Sequence, residues 1–227
     1  MAKNPSLGQR ALVEAIGVFL FVFVGAGVAI STQFISPTYP ALVAIALANG
    51  LALGLAISCV MGISGGHLNP AVTISMLLTK RIGGKDALAY IIAQLVGAIV
   101  AGVFLVMLYP QVAGQAANYG APSLGTGVGA FQGILIEAVM TFFLVFAIFG
   151  TIIDKRGPRI GGFGVGLAVV VDVLAGGPLT GAAMNPARAM GPAIASMNLA
   201  SWYVWWIGPI IGAVAAALIY DYFLLRK

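Results

Sequence analysis

Ser64-Gly65-Gly66-His67-Leu68-Asn69-Pro70-Ala71 returns 116 residues later as Thr180-Gly181-Ala182-Ala183-Met184-Asn185-Pro186-Ala187. Both copies run through a glycine-containing turn into Asn-Pro-Ala, and proline is well placed in the first turn of a helix. The stretches that follow, about 72–79 and 188–196, are too short to cross a bilayer, which takes about 20 apolar residues as a helix. They read as half-helices. Two further matches keep the same order. Val13-Glu14-Ala15-Ile16 pairs with Ile136-Glu137-Ala138-Val139, and Gly97-Ala98 pairs with Gly212-Ala213, at offsets of 123 and 115 residues. Such ordered matches mark an internal repeat, with copies at about 8–108 and 130–225 of a single domain, 1–227.

The surrounding chain is too apolar to face water. Of 227 residues, 61% are hydrophobic and only 7% charged, and the mean hydropathy is +1.06. Soluble domains carry roughly 25% charged residues, so a membrane is the expected solvent. Six apolar runs reach or approach the spanning length, at roughly 11–31, 40–61, 87–108, 130–153, 160–176 and 201–225. Backbone groups in lipid must be paired internally and the alternation of barrel strands is absent, so these runs are predicted helices. Glycine runs such as Gly161-Gly162-Phe163-Gly164-Val165-Gly166 suit their close packing. The expected fold is an all-α membrane protein of six transmembrane helices and two re-entrant half-helices. The first run lacks a cleavage site before Ser31 and reads as a retained helix rather than a signal peptide.

Charge placement supports the count of six. Lys3 and Arg10 precede the first span, and Lys80, Arg81 and Lys85 lie between the second and third. Lys155, Arg156 and Arg159 lie between the fourth and fifth, and Arg226 and Lys227 follow the sixth. The opposite connections, around 32–39 and 109–129, carry no Lys or Arg. Positive charge favours the cytoplasm, which places both termini there. The formal charge of +5 is too small and scattered to suggest nucleic acid as a partner. Arg188, the one basic residue on the other side, needs its own explanation.

Three spans per copy is an odd number, so the second copy is inverted in the membrane. Inverted repeats place their functional site near the midplane, where the repeats meet. Two half-helix N-termini would meet there, each carrying partial positive charge. Asn69 and Asn185 would each offer an amide donor to a passing oxygen, besides capping their helices. A water accepting from both turns its own hydrogens outward, which interrupts a hydrogen-bonded water wire. Cations meet a positive field and no carboxylate ring.

Asn69-Pro70-Ala71, Asn185-Pro186-Ala187 followed by Arg188, and the spans bearing Glu14 and Glu137 resemble the aquaporin (major intrinsic protein) family. The resemblance covers nearly the whole chain. It implies a right-handed bundle assembled as a homotetramer with one pore per subunit, passing water and small neutral solutes within membrane lipid. It also makes Arg188 the arginine of the family's narrow extracellular filter. By spacing from the motifs, the other filter positions are Asn49, Val173 and Ala182. Water-selective members usually carry Phe and His at the first two, so a wider opening is expected, one that would also admit ammonia or glycerol. The combination is similar to plant tonoplast intrinsic proteins and certain archaeal aquaporins. Glycerol facilitators differ: where they have Asp and a basic residue after the arginine, this chain has Ala189 and Ala193. Trp205-Trp206 stands where they have Pro and an aliphatic residue.

Glu14 and Glu137 are expected to accept backbone N–H bonds from the re-entrant loops, with a proton relay as the rival reading. His67 is expected to line or brace the cytoplasmic limb of the pore rather than gate it by pH. Cys59 reads as a small buried hydrophobe. Asp172 is open between a helix contact, the filter and a subunit interface. No cofactor or metal is expected, and one His with one Cys offers no triad, which disfavours an enzyme. A secondary transporter would need coupling-ion ligands beyond the two symmetric glutamates. The expected location is the cell membrane of a prokaryote.

Overall fold

A computed structural model describes residues 4–35 and 42–225. Residues 1–3, with Lys3, positions 36–41, which include most of the connection between the first two spans, and Arg226 and Lys227 lie outside the described residues. In chain order the helices are α1 (Leu7–Ile35), α2 (Leu42–Ser64), α3 (Pro70–Leu78), α4 (Gly84–Leu108) and α5 (Gln111–Ala116). They continue as α6 (Ala130–Ile148), α7 (Gly162–Thr180), α8 (Pro186–Ala195) and α9 (Val204–Ile219). Helices α6 and α9 run on through wider π-turns to Ile153 and Leu225, so among the described residues six helices are long and apolar enough to cross a membrane.

Boundaries move where local chemistry overrides the apolar pattern. Helix α1 takes in the polar turn Leu7-Gly8-Gln9-Arg10, because Ser6 Oγ accepts from Gln9 N and Gln9 Oε1 accepts from Ser6 N. Helix α7 runs to Thr180, past Pro178 and well beyond the predicted end at 176. The half-helices begin at the prolines themselves, capped by Asn69 and Asn185. Connection 109–129 is not plain loop, since α5 occupies its first third.

Packing follows the duplication. Helix α1 lies on α4 and α6 lies on α9, and in each pair a glycine touches the partner's backbone. A β-carbon on Gly97 would fall on the carbonyl of Ala15, and one on Gly212 on the carbonyl of Ala138. Both glycines and both alanines are matched positions of the repeat. Gly162 and Gly166 meet Gly54 and Gly50 in the same way, joining α7 to α2. The half-helices cross over: α3 packs on α9 of the other copy, and α8 packs on α4. This exchange ties the two copies into one body and brings the two half-helix N-termini together.

The end of the bundle rich in Lys and Arg is held by ion pairs. Arg10 bonds Asp86 at 2.7 Å and Arg81 bonds Asp221 at 2.8 Å. Arg156 grips Asp154 and also donates to Leu224 O at 2.7 Å, fixing the 154–159 turn to the end of the last span. Beside that guanidinium the Asp154 carboxyl sits well below the usual carboxylate range.

Cys59 corrects an expectation. It is exposed on the outer face of α2, with Leu51 and Leu55, rather than buried. A helix in lipid has no water-facing side to mark which of its apolar residues point outward. The thiol lies off the central cavities. Mercurials should therefore reduce solute flux only weakly, since the one thiol of the chain borders none of these cavities. Strong block abolished by Cys59→Ser in a vesicle assay would contradict this placement.

Candidate functional site

Both re-entrant loops adopt one left-handed pattern. In the first, Gly65, Gly66 and Leu68 have φ of +91°, +65° and +48°. In the second, Gly181, Ala182 and Met184 have +77°, +44° and +50°. Left-handed backbone costs a non-glycine residue about 1–3 kcal/mol and persists only where the surroundings over-determine it.

The surroundings are the two glutamates, both fully buried. Glu14 accepts from Ser64 Oγ at 2.6 Å, His67 N at 2.9 Å, Leu68 N at 2.7 Å and Gln94 Nε2 at 2.8 Å. Glu137 accepts from Thr180 Oγ1 at 2.7 Å, Ala183 N at 3.0 Å and Met184 N at 2.7 Å. Ser64, His67 and Leu68 match Thr180, Ala183 and Met184 in the repeat. The two carboxylates thus do the same thing to the two loops.

At the centre each asparagine works twice. Asn69 Oδ1 accepts from Ala71 N at 2.9 Å, and Asn185 Oδ1 accepts from Ala187 N at 3.0 Å and Arg188 N at 3.2 Å. These bonds satisfy the first free N–H groups of the half-helices. The amide nitrogens cross over: Asn69 Nδ2 donates to Met184 O at 2.8 Å, and Asn185 Nδ2 donates to Leu68 O at 2.9 Å. The carbonyls that receive them belong to the strained residues. An amide nitrogen has two N–H groups. One is committed to the opposite loop, leaving one on each asparagine to serve as the expected donor.

Three cavities border the predicted site residues. A narrow one of about 20 Å³, room for about one water, is bordered by Phe21, Asn49, Asn69, Ala182, Asn185 and Arg188, among others. A vestibule of about 540 Å³ shares Arg188 with it and is bordered by Leu42, Ala121, Ser123 and Val173. Another, of about 200 Å³, is bordered by Ile57, His67, Val72, Arg81 and Ile153. Of the four predicted filter positions, Asn49 and Ala182 face the narrow part, Val173 the wide vestibule, and Arg188 both. Arg188 is 8% exposed, and its Nη1 has no hydrogen-bond partner among the described residues. Asn49 Nδ2 donates to Ile45 O at 2.9 Å, one turn back along α2.

His67 is braced. Its Nδ1 lies 3.2 Å from Thr73 Oγ1, and its ring meets Tyr90 edge-on at 5.3 Å. Thr73 Oγ1 donates to Asn69 O and accepts from Gln94 Nε2, so the imidazole belongs to the Glu14 network. Asp172 is buried on α7 with no hydrogen-bond partner for its Oδ2 among the described residues, and it borders none of the three cavities.

Sequence reasoning missed Tyr90, Gln94 and the hydrogen-bonding role of Trp205. Tyr90 Oη donates to Ser64 O at 2.8 Å, and Trp205 Nε1 donates to Thr180 O at 3.0 Å. These carbonyls lie at the start of the two loops and are matched in the repeat. Each aromatic stands seven residues before a matched glycine, Gly97 or Gly212, and that register was the available signal. Gln94 has no counterpart, because its place in the second copy is Pro209.

Comparison with known proteins agrees with this geometry. The family model described as major intrinsic protein matches residues 1–220. The chain is 44% identical to aquaporin TIP4-4 of Zea mays over 97% of its own length and 88% of that protein. It is 37% identical to probable aquaporin TIP3-2 of Arabidopsis thaliana over 99% of its length and 86% of that protein. Among solved structures, the aquaglyceroporin from Plasmodium falciparum superposes with a TM-score of 0.87, covering 96% of this chain and 97% of that one. Their sequence identity is 23%, so this likeness speaks for the fold alone.

Proposed function

Because the chain belongs to the major intrinsic protein family, we propose that it is a passive multi-pass membrane channel for water that excludes protons. The observation that carries the reading is the pair of crossed amide bonds, Asn69 Nδ2 to Met184 O and Asn185 Nδ2 to Leu68 O. They set the two half-helix N-termini face to face with one spare amide N–H on each asparagine. A water at that point accepts from both and turns its hydrogens away from the axis, so no proton wire forms. The facing helix ends repel cations. Glu14 and Glu137 hold the loops and are fully committed to that work, which supports a structural role over a proton relay.

Asn49, Val173, Ala182 and Arg188 form the filter in this reading. None of the first three is aromatic, so the opening admits ammonia or glycerol beside water, more slowly than in a dedicated glycerol channel. The relatives named above are TIP-type proteins, which supports the water branch over the glycerol branch. They are plant proteins and lend nothing to a prokaryotic location. The termini are assigned to the cytoplasm because Lys80, Arg81, Lys85, Lys155, Arg156 and Arg159 all lie on connections at their end. A homotetramer would cover part of the apolar outer face.

Stopped-flow light scattering on proteoliposomes tests the channel against a transporter. Osmotic water flux should be fast and solute flux should rise linearly with its gradient. Saturation at modest solute concentration would indicate a transporter instead.

A further inference from the structure

The Asn49 carboxamide borders the narrow cavity without standing free in it. Its nitrogen is tied one turn back along α2 to Ile45 O. Its oxygen lies against Gly25 on α1, where a β-carbon would fall directly on it. That β-carbon would also come within 2.8 Å of Asn49 Cγ and 3.2 Å of Nδ2, so the conflict involves the whole amide and not a flexible tip. One turn earlier on α1, Phe21 fills the wall of the same cavity. Helix α1 therefore presents a ring at one level and a recess at the next.

We propose that Gly25 is a specificity-determining residue of this channel, because its missing side chain lodges the Asn49 amide and so widens the passage beside Arg188. The proposal rests on the reading of Asn49 and Arg188 as filter residues. Helix α1 has no room to back away at this level, since the next residue, Ala26, is in close contact with Gly120. An alanine at 25 would rotate the amide off Ile45 O and into the cavity that it borders. Selectivity by pore width turns on changes of this size, with one methyl group worth about tenfold or more in discrimination.

Proteoliposomes bearing wild type, Gly25→Ala, Asn49→Ala and the double variant would be compared for water and glycerol permeability, each normalised to incorporated protein. Gly25→Ala should lower the glycerol-to-water ratio by about tenfold. The double variant should regain the ratio of Asn49→Ala, because the new methyl then meets no amide. An unchanged ratio in Gly25→Ala, or a double variant that stays narrow, overturns the proposal. If Gly25→Ala alone does not fold, the double should be recovered folded, and its loss as well would refute the steric pairing. If wild type itself excludes glycerol, the wide-filter reading fails separately. The pairing is then read in water flux, which Gly25→Ala must reduce and Asn49→Ala must restore.

Discussion

Glu137→Ala should cut water permeability per folded protein by at least about tenfold, the largest loss expected from any single change outside the lumen. The carboxylate takes bonds from Thr180 Oγ1, Ala183 N and Met184 N in a site closed to solvent. Each donor left unpaired costs about 1–3 kcal/mol. That cost falls on a loop already holding Ala182 and Met184 in left-handed backbone. Once it relaxes, Met184 O no longer meets Asn69 Nδ2, and the central geometry loosens. Glu14→Ala should do less damage. Its loop carries glycine at two of the three left-handed positions, and Gln94 and Thr73 still reach the site through His67 and Asn69. Stopped-flow rates on equal amounts of folded protein would measure both, and equal, small effects would mean the loops hold themselves.

The second large effect concerns solute choice. Asn49→Phe combined with Val173→His should bring glycerol and ammonia flux down to the level of bare lipid while sparing water. A phenyl ring at 49 outgrows the recess at Gly25 and must enter the narrow cavity. An imidazole at 173 projects from the vestibule side toward Arg188, so the two changes close the opening from different levels. Flux of both solutes that survives the double change would show that they travel elsewhere. A wild type that already excludes both would show that the 109–129 connection, which borders the vestibule, narrows the mouth.

Much of this was legible in the sequence because the duplication states it twice. Asn-Pro-Ala at two matched places announces the half-helices, and a glutamate in each first span announces what holds them. The matched glycines 97 and 212 announce the contacts between first and third spans. What stayed hidden depended on one side chain meeting another far along the chain. The tucking of Asn49 requires Gly25, and no periodicity links the two. The crossed amide bonds join residues 115 and 117 positions apart, through carbonyls that sequence does not display. Tyr90 and Trp205 differ in type, so the repeat concealed that both donate to the same carbonyl position. Cys59 was misplaced for a different reason. In lipid the outside of a helix is as apolar as its inside, and the pattern that separates them in water is missing.

The central claim is that water passes and protons do not, and one preparation can test both. Proteoliposomes carrying an entrapped pH-sensitive dye would be mixed first against an osmotic gradient and then against a pH gradient. The account predicts water permeability far above that of protein-free vesicles, with proton flux indistinguishable from theirs. Proton flux that rises with protein content in step with water flux would contradict it, because the crossed asparagines would then not be breaking the wire.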